Sequence, residues 1–136
     1  MHLKVSSTHT IERKTEGSAC FDVPVAEDFI IDTGEFKNVK LDLAMDIPEG
    51  YCVLLFPRSS TFAVHNLIAP VSVIDSDYKK QVHGLLYNPT SKIKRYKAGD
   101  RLFQGMLVPV ETYDIVGSVV EDTTGRGGLG STGRCF

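Results

Sequence analysis

Five short stretches of this chain carry side chains that do chemistry when they converge. Val73-Ile74-Asp75-Ser76-Asp77-Tyr78-Lys79-Lys80 lies between two strand-like runs, which predicts a hairpin with its polar residues crowded at the tip. Carboxylates at a tip activate water, bind a metal ion or, most commonly, solvate the turn. In Pro57-Arg58-Ser59-Ser60 a strand gives way to a short helix, and amides, hydroxyls and a guanidinium converge on an anion. The commoner explanation of Ser59 there is a plain helix N-cap. Gly17-Ser18-Ala19-Cys20-Phe21-Asp22-Val23 is a small-residue turn entering a strand, with one acid among apolar neighbours. An acid so placed needs a cation or arginine partner. Ala98-Gly99-Asp100-Arg101-Leu102-Phe103-Gln104 is a turn into a strand, and its bland reading is a β-turn with Gln104 on the polar face. Last, Thr124 to Phe136 holds five of the 12 glycines with hydroxyls and arginine, a composition suited to a phosphate chain. A phosphate loop of the P-loop kind needs a strand before it and a helix after it, and this segment has no helix after it. It reads either as an arm that closes over a polyphosphate or as a solvated tail.

These stretches need strands to hold them. Val39, Leu41, Leu43, Met45 and Ile47 alternate with polar or small neighbours, the pattern of a half-buried strand. Pro48-Glu49-Gly50 turns the chain into Tyr51 to Phe56, an apolar run that predicts a more deeply buried strand. Further β-like runs are Phe29 to Ile31, Val71 to Ile74, Val82 to Tyr87, Leu102 to Val110 and Tyr113 to Val116. Ser59 to Val64 is the one short helix expected. Short strands at regular spacing predict an all-β sandwich, jelly roll or barrel. No internal repeat stands out.

At 136 residues, with 42% hydrophobic content, the chain fits one domain with a real core. Fifteen basic against 17 acidic residues leave a net charge of −2, so no global field draws it to nucleic acid or an anionic membrane. The N-terminal residues are too polar for a signal peptide and no apolar run spans a bilayer, so a cytoplasmic protein is expected. Cys20, Cys52 and Cys135 are widely spaced and odd in number, which predicts reduced thiols rather than disulfides or a zinc site.

Taken in order, the five stretches resemble the motifs of the homotrimeric dUTP pyrophosphatases (dUTPases) across nearly the whole chain. Ala19-Cys20-Phe21-Asp22-Val23 corresponds to that family's alanine-glycine-tyrosine-aspartate-leucine stretch, and Pro57-Arg58-Ser59-Ser60 to its proline-arginine-serine motif. Ser72 to Lys80 corresponds to the hairpin motif, and Gly99-Asp100-Arg101-Leu102-Phe103-Gln104 to glycine-aspartate-arginine-isoleucine-alanine-glutamine. Gly127-Gly128-Leu129-Gly130-Ser131-Thr132-Gly133 stands where the family has glycine-glycine-phenylalanine-glycine-serine-threonine-glycine.

The resemblance implies a distorted jelly-roll β-barrel over residues 1–120, with one short helix, and a flexible C-terminal arm over residues 121–136. It implies hydrolysis of dUTP to dUMP and pyrophosphate with Mg2+, in a homotrimer whose active sites are shared between subunits. Asp75 would orient and deprotonate the attacking water. Tyr78 would lie against the deoxyribose, and the backbone near Val71, Ser72, Val73 and His83 would read uracil. Arg58, Ser59 and Ser60 would hold phosphates, Gln104 would contact the chain near the water, and Asp22 would reach the metal through water. Leu129, Gly130, Ser131 and Thr132, with Arg126, would cap the nucleotide from the arm. For a viral member, the host cytoplasm is the implied location.

Several positions depart from the family pattern. Leu129 replaces the aromatic residue that covers uracil, and Arg126 stands two residues after the position, here Thr124, of the usual arginine. Ser72 and Lys80 replace hairpin glycines, and Val64 stands where many members have lysine. Two alternatives belong beside the hydrolase. One is a dUTP-controlled regulatory protein that binds a protein partner. The other is the dCTP deaminase branch of the same fold, which needs a catalytic glutamate where this chain has Leu85.

Overall fold

The computed structural model describes residues 1–129. Ten strands and one short helix follow one another as β1 (Lys4–Ser6), β2 (Phe21–Pro24), β3 (Phe29–Ile31), β4 (Phe36–Lys40), β5 (Ala44–Asp46), β6 (Tyr51–Pro57), α1 (Ser59–Ala63), β7 (Ser72–Ile74), β8 (His83–Tyr87), β9 (Lys94–Tyr96) and β10 (Arg101–Pro109). The central sheet runs β2-β10-β6-β7, and the pairs β1-β5, β3-β9 and β4-β8 complete an all-β fold. Every pairing is antiparallel.

The alternation from Val39 to Ile47 holds as burial, since all five apolar residues are buried. It does not hold as one strand. The chain bends at Asp42, so that β4 pairs with β8 and β5 pairs with β1. The bend is anchored from outside the strand: the Thr8 hydroxyl donates to Asp42 Oδ2 at 2.6 Å and His9 Nδ1 lies 2.7 Å from the same oxygen. β6 and β10 are the long strands, paired from Phe103↔Pro57 to Pro109↔Tyr51, and they carry Val53, Leu55, Leu102 and Phe103 into the core. Burying side chains of that size stabilises the fold by about 1.5–3 kcal/mol each.

The polar stretch around Asp75 predicts a hairpin, but the strands that flank it do not pair with each other. β7 pairs with β6 in the central sheet, whereas β8 pairs with β4. The segment between them is therefore a crossover between two sheets, with a tight turn in which the Tyr78 amide donates to the Asp75 carbonyl at 3.1 Å. The strand expected at Tyr113 to Val116 is also not formed. β10 ends at Pro109, and residues 111–129 are exposed without regular secondary structure, so no neighbouring strand offers Tyr113 to Val116 a ladder. β9 has no signal in the sequence, because Lys94-Arg95-Tyr96 lacks apolar alternation. Its pairing with β3 and the stacking of Tyr96 on Phe29, 5.3 Å between ring centres, define it instead.

Among the described residues, no helix is long and apolar enough to cross a membrane. Cys52 is buried and Cys20 half-buried, both as free thiols. Burial first and the nearby Asp22 second push the Cys20 thiol above its usual range.

Candidate active site

The central sheet sets Asp22, Arg58 and Gln104 side by side. Asp22 on β2 is the register partner of Gln104 on β10, and Gln104 is in turn the partner of Phe56 on β6. Arg58 follows directly from β6, with its Nε 3.2 Å from Asp22 Oδ1. Asp22 thus has the arginine partner its apolar neighbourhood demanded. Gln104 Nε2 donates to the Pro57 carbonyl at 3.2 Å, which fixes the amide beside the point where the strand ends.

Arg58 itself occupies the N-cap position of α1, with extended dihedrals (φ −71°, ψ 156°) and no side-chain cap. Ser59 is therefore the first helical residue and not the N-cap. The helix start is tied down by other groups. The Arg58 amide donates to the Leu102 carbonyl at 3.1 Å, and the buried Thr61 hydroxyl donates to the same carbonyl at 2.6 Å. Ser59, exposed, and Ser60, half-buried, follow Arg58 on this first turn. Among the sequence candidates, Arg58, Ser59, Ser60, Gln104 and Asp22 thus gather in one polar group, in which the Arg58 and Asp22 charges balance.

A second group lies elsewhere. Ser72, Val73, Ile74, Asp75, Tyr78, Val82 and His83 line a cleft of about 230 Å³. Tyr78 is pinned over it, because its hydroxyl donates to the Gln81 carbonyl at 2.7 Å. His83 is oriented by Asn38, with Nδ1 2.9 Å from Oδ1 across the β4-β8 pair. Neither Ser72 nor Lys80 needs the backbone freedom of glycine, since Asn66 is the sole non-glycine residue with positive φ among the described residues. Val71 is exposed just before β7 and outside that lining.

The two groups stand at opposite ends of β6. Because Val53 pairs with Ile74, Asp75 lies beside Cys52, and Arg58 is six residues further along the strand. At about 3.3 Å per residue that separates them by roughly 20 Å, too far for one small phosphorus centre to touch both. Within a single chain the two groups therefore do not converge. Motif order names both groups but carries no distance between them.

The remaining candidates follow β10 in the chain. Arg126 and Leu129 are exposed, Leu129 at 92%. Gly130, Ser131 and Thr132 lie outside the described residues. Leu85, where the deaminase branch needs an acid, is half exposed and lines an apolar cleft with Phe36, Ile68 and Tyr87. Among the described residues, no group of three or more His, Cys, Asp or Glu side chains is placed to hold a metal ion.

The chain is thus of one class: an all-β scaffold with an arginine-bearing polar cluster at one end of β6 and a carboxylate-bearing cleft at the other. The sequence profile of the dUTPase family matches residues 6–133. The chain is 34% identical over 131 residues to the deoxyuridine 5′-triphosphate nucleotidohydrolase of Paramecium bursaria Chlorella virus 1, covering 95% of this chain and 93% of that one. To the enzyme of the same name from Zymomonas mobilis it is 39% identical over 124 residues, covering 88% and 84% of the two chains. Among solved structures, a Staphylococcus bacteriophage 80alpha dUTPase with dUpNHpp superposes with a TM-score of 0.83 at 24% identity, over 98% of this chain and 99% of that one. The phage phi11 dUTPase, in which a structural Mg(II) ion is coordinated, superposes with a TM-score of 0.79 at 24% identity, over 90% and 99%. The chain belongs to the dUTPase family, and its fold is the jelly-roll-like β fold of those structures.

Proposed function

We propose that this chain hydrolyses dUTP to dUMP and pyrophosphate, in a homotrimer whose sites each draw on more than one subunit. The observation that carries the reading is the separation of the half-sites. Asp75 with its cleft and Arg58 with its polar cluster are each well formed, yet they stand about 20 Å apart on one chain, so a complete site needs a second copy.

In that site uracil and deoxyribose occupy the cleft lined by Ser72, Val73, Tyr78 and His83, with Val71 at its approach. The Tyr78 ring leaves no room for a ribose 2′-hydroxyl. The Asp75 carboxylate takes a proton from water, the resulting hydroxide attacks the α-phosphorus, and the bond to the α,β-bridging oxygen breaks. Pyrophosphate leaves with the displaced electron pair. Arg58 and the Ser59 and Ser60 hydroxyls of another subunit stabilise the charge that develops on the leaving oxygens. Gln104, held by the Pro57 carbonyl, orients the water. Arg126 and Leu129, with Gly130, Ser131 and Thr132, close over the phosphates from the arm of residues 121–136.

The donor set fits Mg2+ that arrives on the triphosphate, since one carboxylate, Asp22, 19% exposed and so within reach of solvent, can contact it through water. Bound there, Mg2+ would neutralise phosphate charge. Such chemistry belongs in the cytoplasm, or in the host cytoplasm for a viral protein. The regulatory alternative has support in one respect: 80alpha phage dUTPases of this fold control transfer of virulence genes. The intact carboxylate cleft favours turnover.

Steady-state kinetics on dUTP, dTTP, dCTP and UTP test the proposal, with the full chain beside a version truncated before Thr124. Strong preference for dUTP is expected, with activity reduced by the truncation. Full-length protein that binds dUTP and leaves it intact would sink the hydrolase and favour the regulator.

A further inference from the structure

Arg101 stands beside Asp22 and Arg58 without a role in the mechanism above. We infer that Arg101 is a positioning residue of the phosphate site: it shares the Asp22 carboxylate with Arg58, so that Arg58 keeps an unneutralised guanidinium edge for a pyrophosphate group. The inference rests on the phosphate-binding role proposed for Arg58.

Asp22 lies between two guanidiniums. Its Oδ1 is 3.2 Å from Arg58 Nε, and its Oδ2 is 3.9 Å from Arg101 Nη1. The main chain of Arg101 acts too, since its carbonyl accepts a hydrogen bond from Arg58 Nη1 at 3.0 Å. One Nη1 proton of Arg58 is thus spent on orientation and Nε faces Asp22 as an ion pair, which leaves the Nη2 edge for a ligand. The three side chains together carry a net charge of +1, whereas Asp22 with Arg58 alone would be neutral and a poor attractor of anions.

A local irregularity in β10 brings Arg101 to this face. Arg101 and Gln104 are three residues apart, which in a regular strand puts them on opposite faces. The register of β10 against β2 shifts between Arg101 and Phe103, and Leu102 and Phe103 are buried in succession. One extra residue in the strand turns Arg101 onto the face that Gln104 and Asp22 share, the usual effect of a β-bulge. The bulged residue is itself used, because the Leu102 carbonyl anchors both the Arg58 amide and the Thr61 hydroxyl.

Calorimetric binding of inorganic pyrophosphate to the full chain tests this with Arg101→Met and Arg101→Lys, each also made in an Asp22→Asn background. Arg101→Met should weaken binding about tenfold and Arg101→Lys by no more than about threefold, since the ammonium restores the charge without the fork. In the Asp22→Asn background the loss from Arg101→Met should shrink below about threefold, because no carboxylate remains to neutralise Arg58. A merely structural arginine would cost the same in both backgrounds. Equal losses there, or an Arg101→Met protein within twofold of wild type, would overturn the inference. Should Arg101→Met not fold, Arg101→Gln is read by the same criteria. Wild-type protein that binds pyrophosphate but leaves dUTP intact refutes the hydrolase reading alone, and wild-type protein that does not bind pyrophosphate overturns the inference.

Discussion

The ring of Phe103 lies directly on Gly84: a Cβ added to the glycine would sit 2.4 Å from Phe103 Cζ. Phe103 belongs to the central sheet and Gly84 to the β4-β8 pair, so this contact joins the strand that carries Gln104 to the strand that begins with His83. Gly84→Ala should destabilise the fold by about 1–3 kcal/mol through overpacking, and Phe103→Ala by about 3–5 kcal/mol through the cavity it leaves. Gly84→Val combined with Phe103→Ala should cost clearly less than the sum of the single changes. Urea unfolding at fixed protein concentration checks this, and simple additivity would show that the ring and the glycine do not compensate each other.

Asp75→Asn should lower turnover of dUTP by about 10² to 10⁴-fold, the contribution of a positioned base. Binding of dUpNHpp by the same variant should stay within a few-fold of wild type, because an amide preserves the shape of the cleft. Pyrophosphate release and calorimetry separate the two effects. Normal hydrolysis by this variant would remove Asp75 from the role of base.

Mixing two inactive variants tests whether the half-sites meet between chains. Asp75→Asn and Arg58→Met proteins, unfolded together and refolded at equal amounts, should regain about one quarter of wild-type activity, the random chance that a site takes Asp75 from a chain that keeps it and Arg58 from a chain that keeps that residue. Activity that stays at the level of the separate variants would mean that each site is built from one chain.

Asp42 makes the stability of the fold depend on acid. Burial pushes its carboxyl up, but hydrogen bonds from the Thr8 hydroxyl, His9, the Thr8 amide and Ser7 outweigh this and hold its pKa at about 2, against an ordinary 3.8. A carboxyl depressed by folding stabilises the native state above its unfolded value, and that contribution fades as pH falls through its folded value. Asp42→Asn should therefore cost about 1–2 kcal/mol at neutral pH. The gap from wild type should close between about pH 4 and pH 2. Denaturation midpoints measured across that range decide it, and a gap independent of pH would locate the loss in packing instead.

Much of this protein was legible in its residues because the relevant forces are local. Alternating apolar positions from Val39 to Ile47 determined which side chains are buried, since a strand presents successive residues to opposite faces wherever it goes. Residue type likewise marked Asp75, Arg58 and Gln104 as chemical candidates. What only the tertiary structure decided is partnership and distance. The bend at Asp42, the bulge that turns Arg101 toward Asp22, and the placement of β7 and β8 in different sheets all depend on pairings between segments remote in the chain. Hydrogen bonds and burial across such separations are settled jointly by the whole fold, so motif order could name the residues of the two half-sites but could not reveal the length of β6 that stands between them.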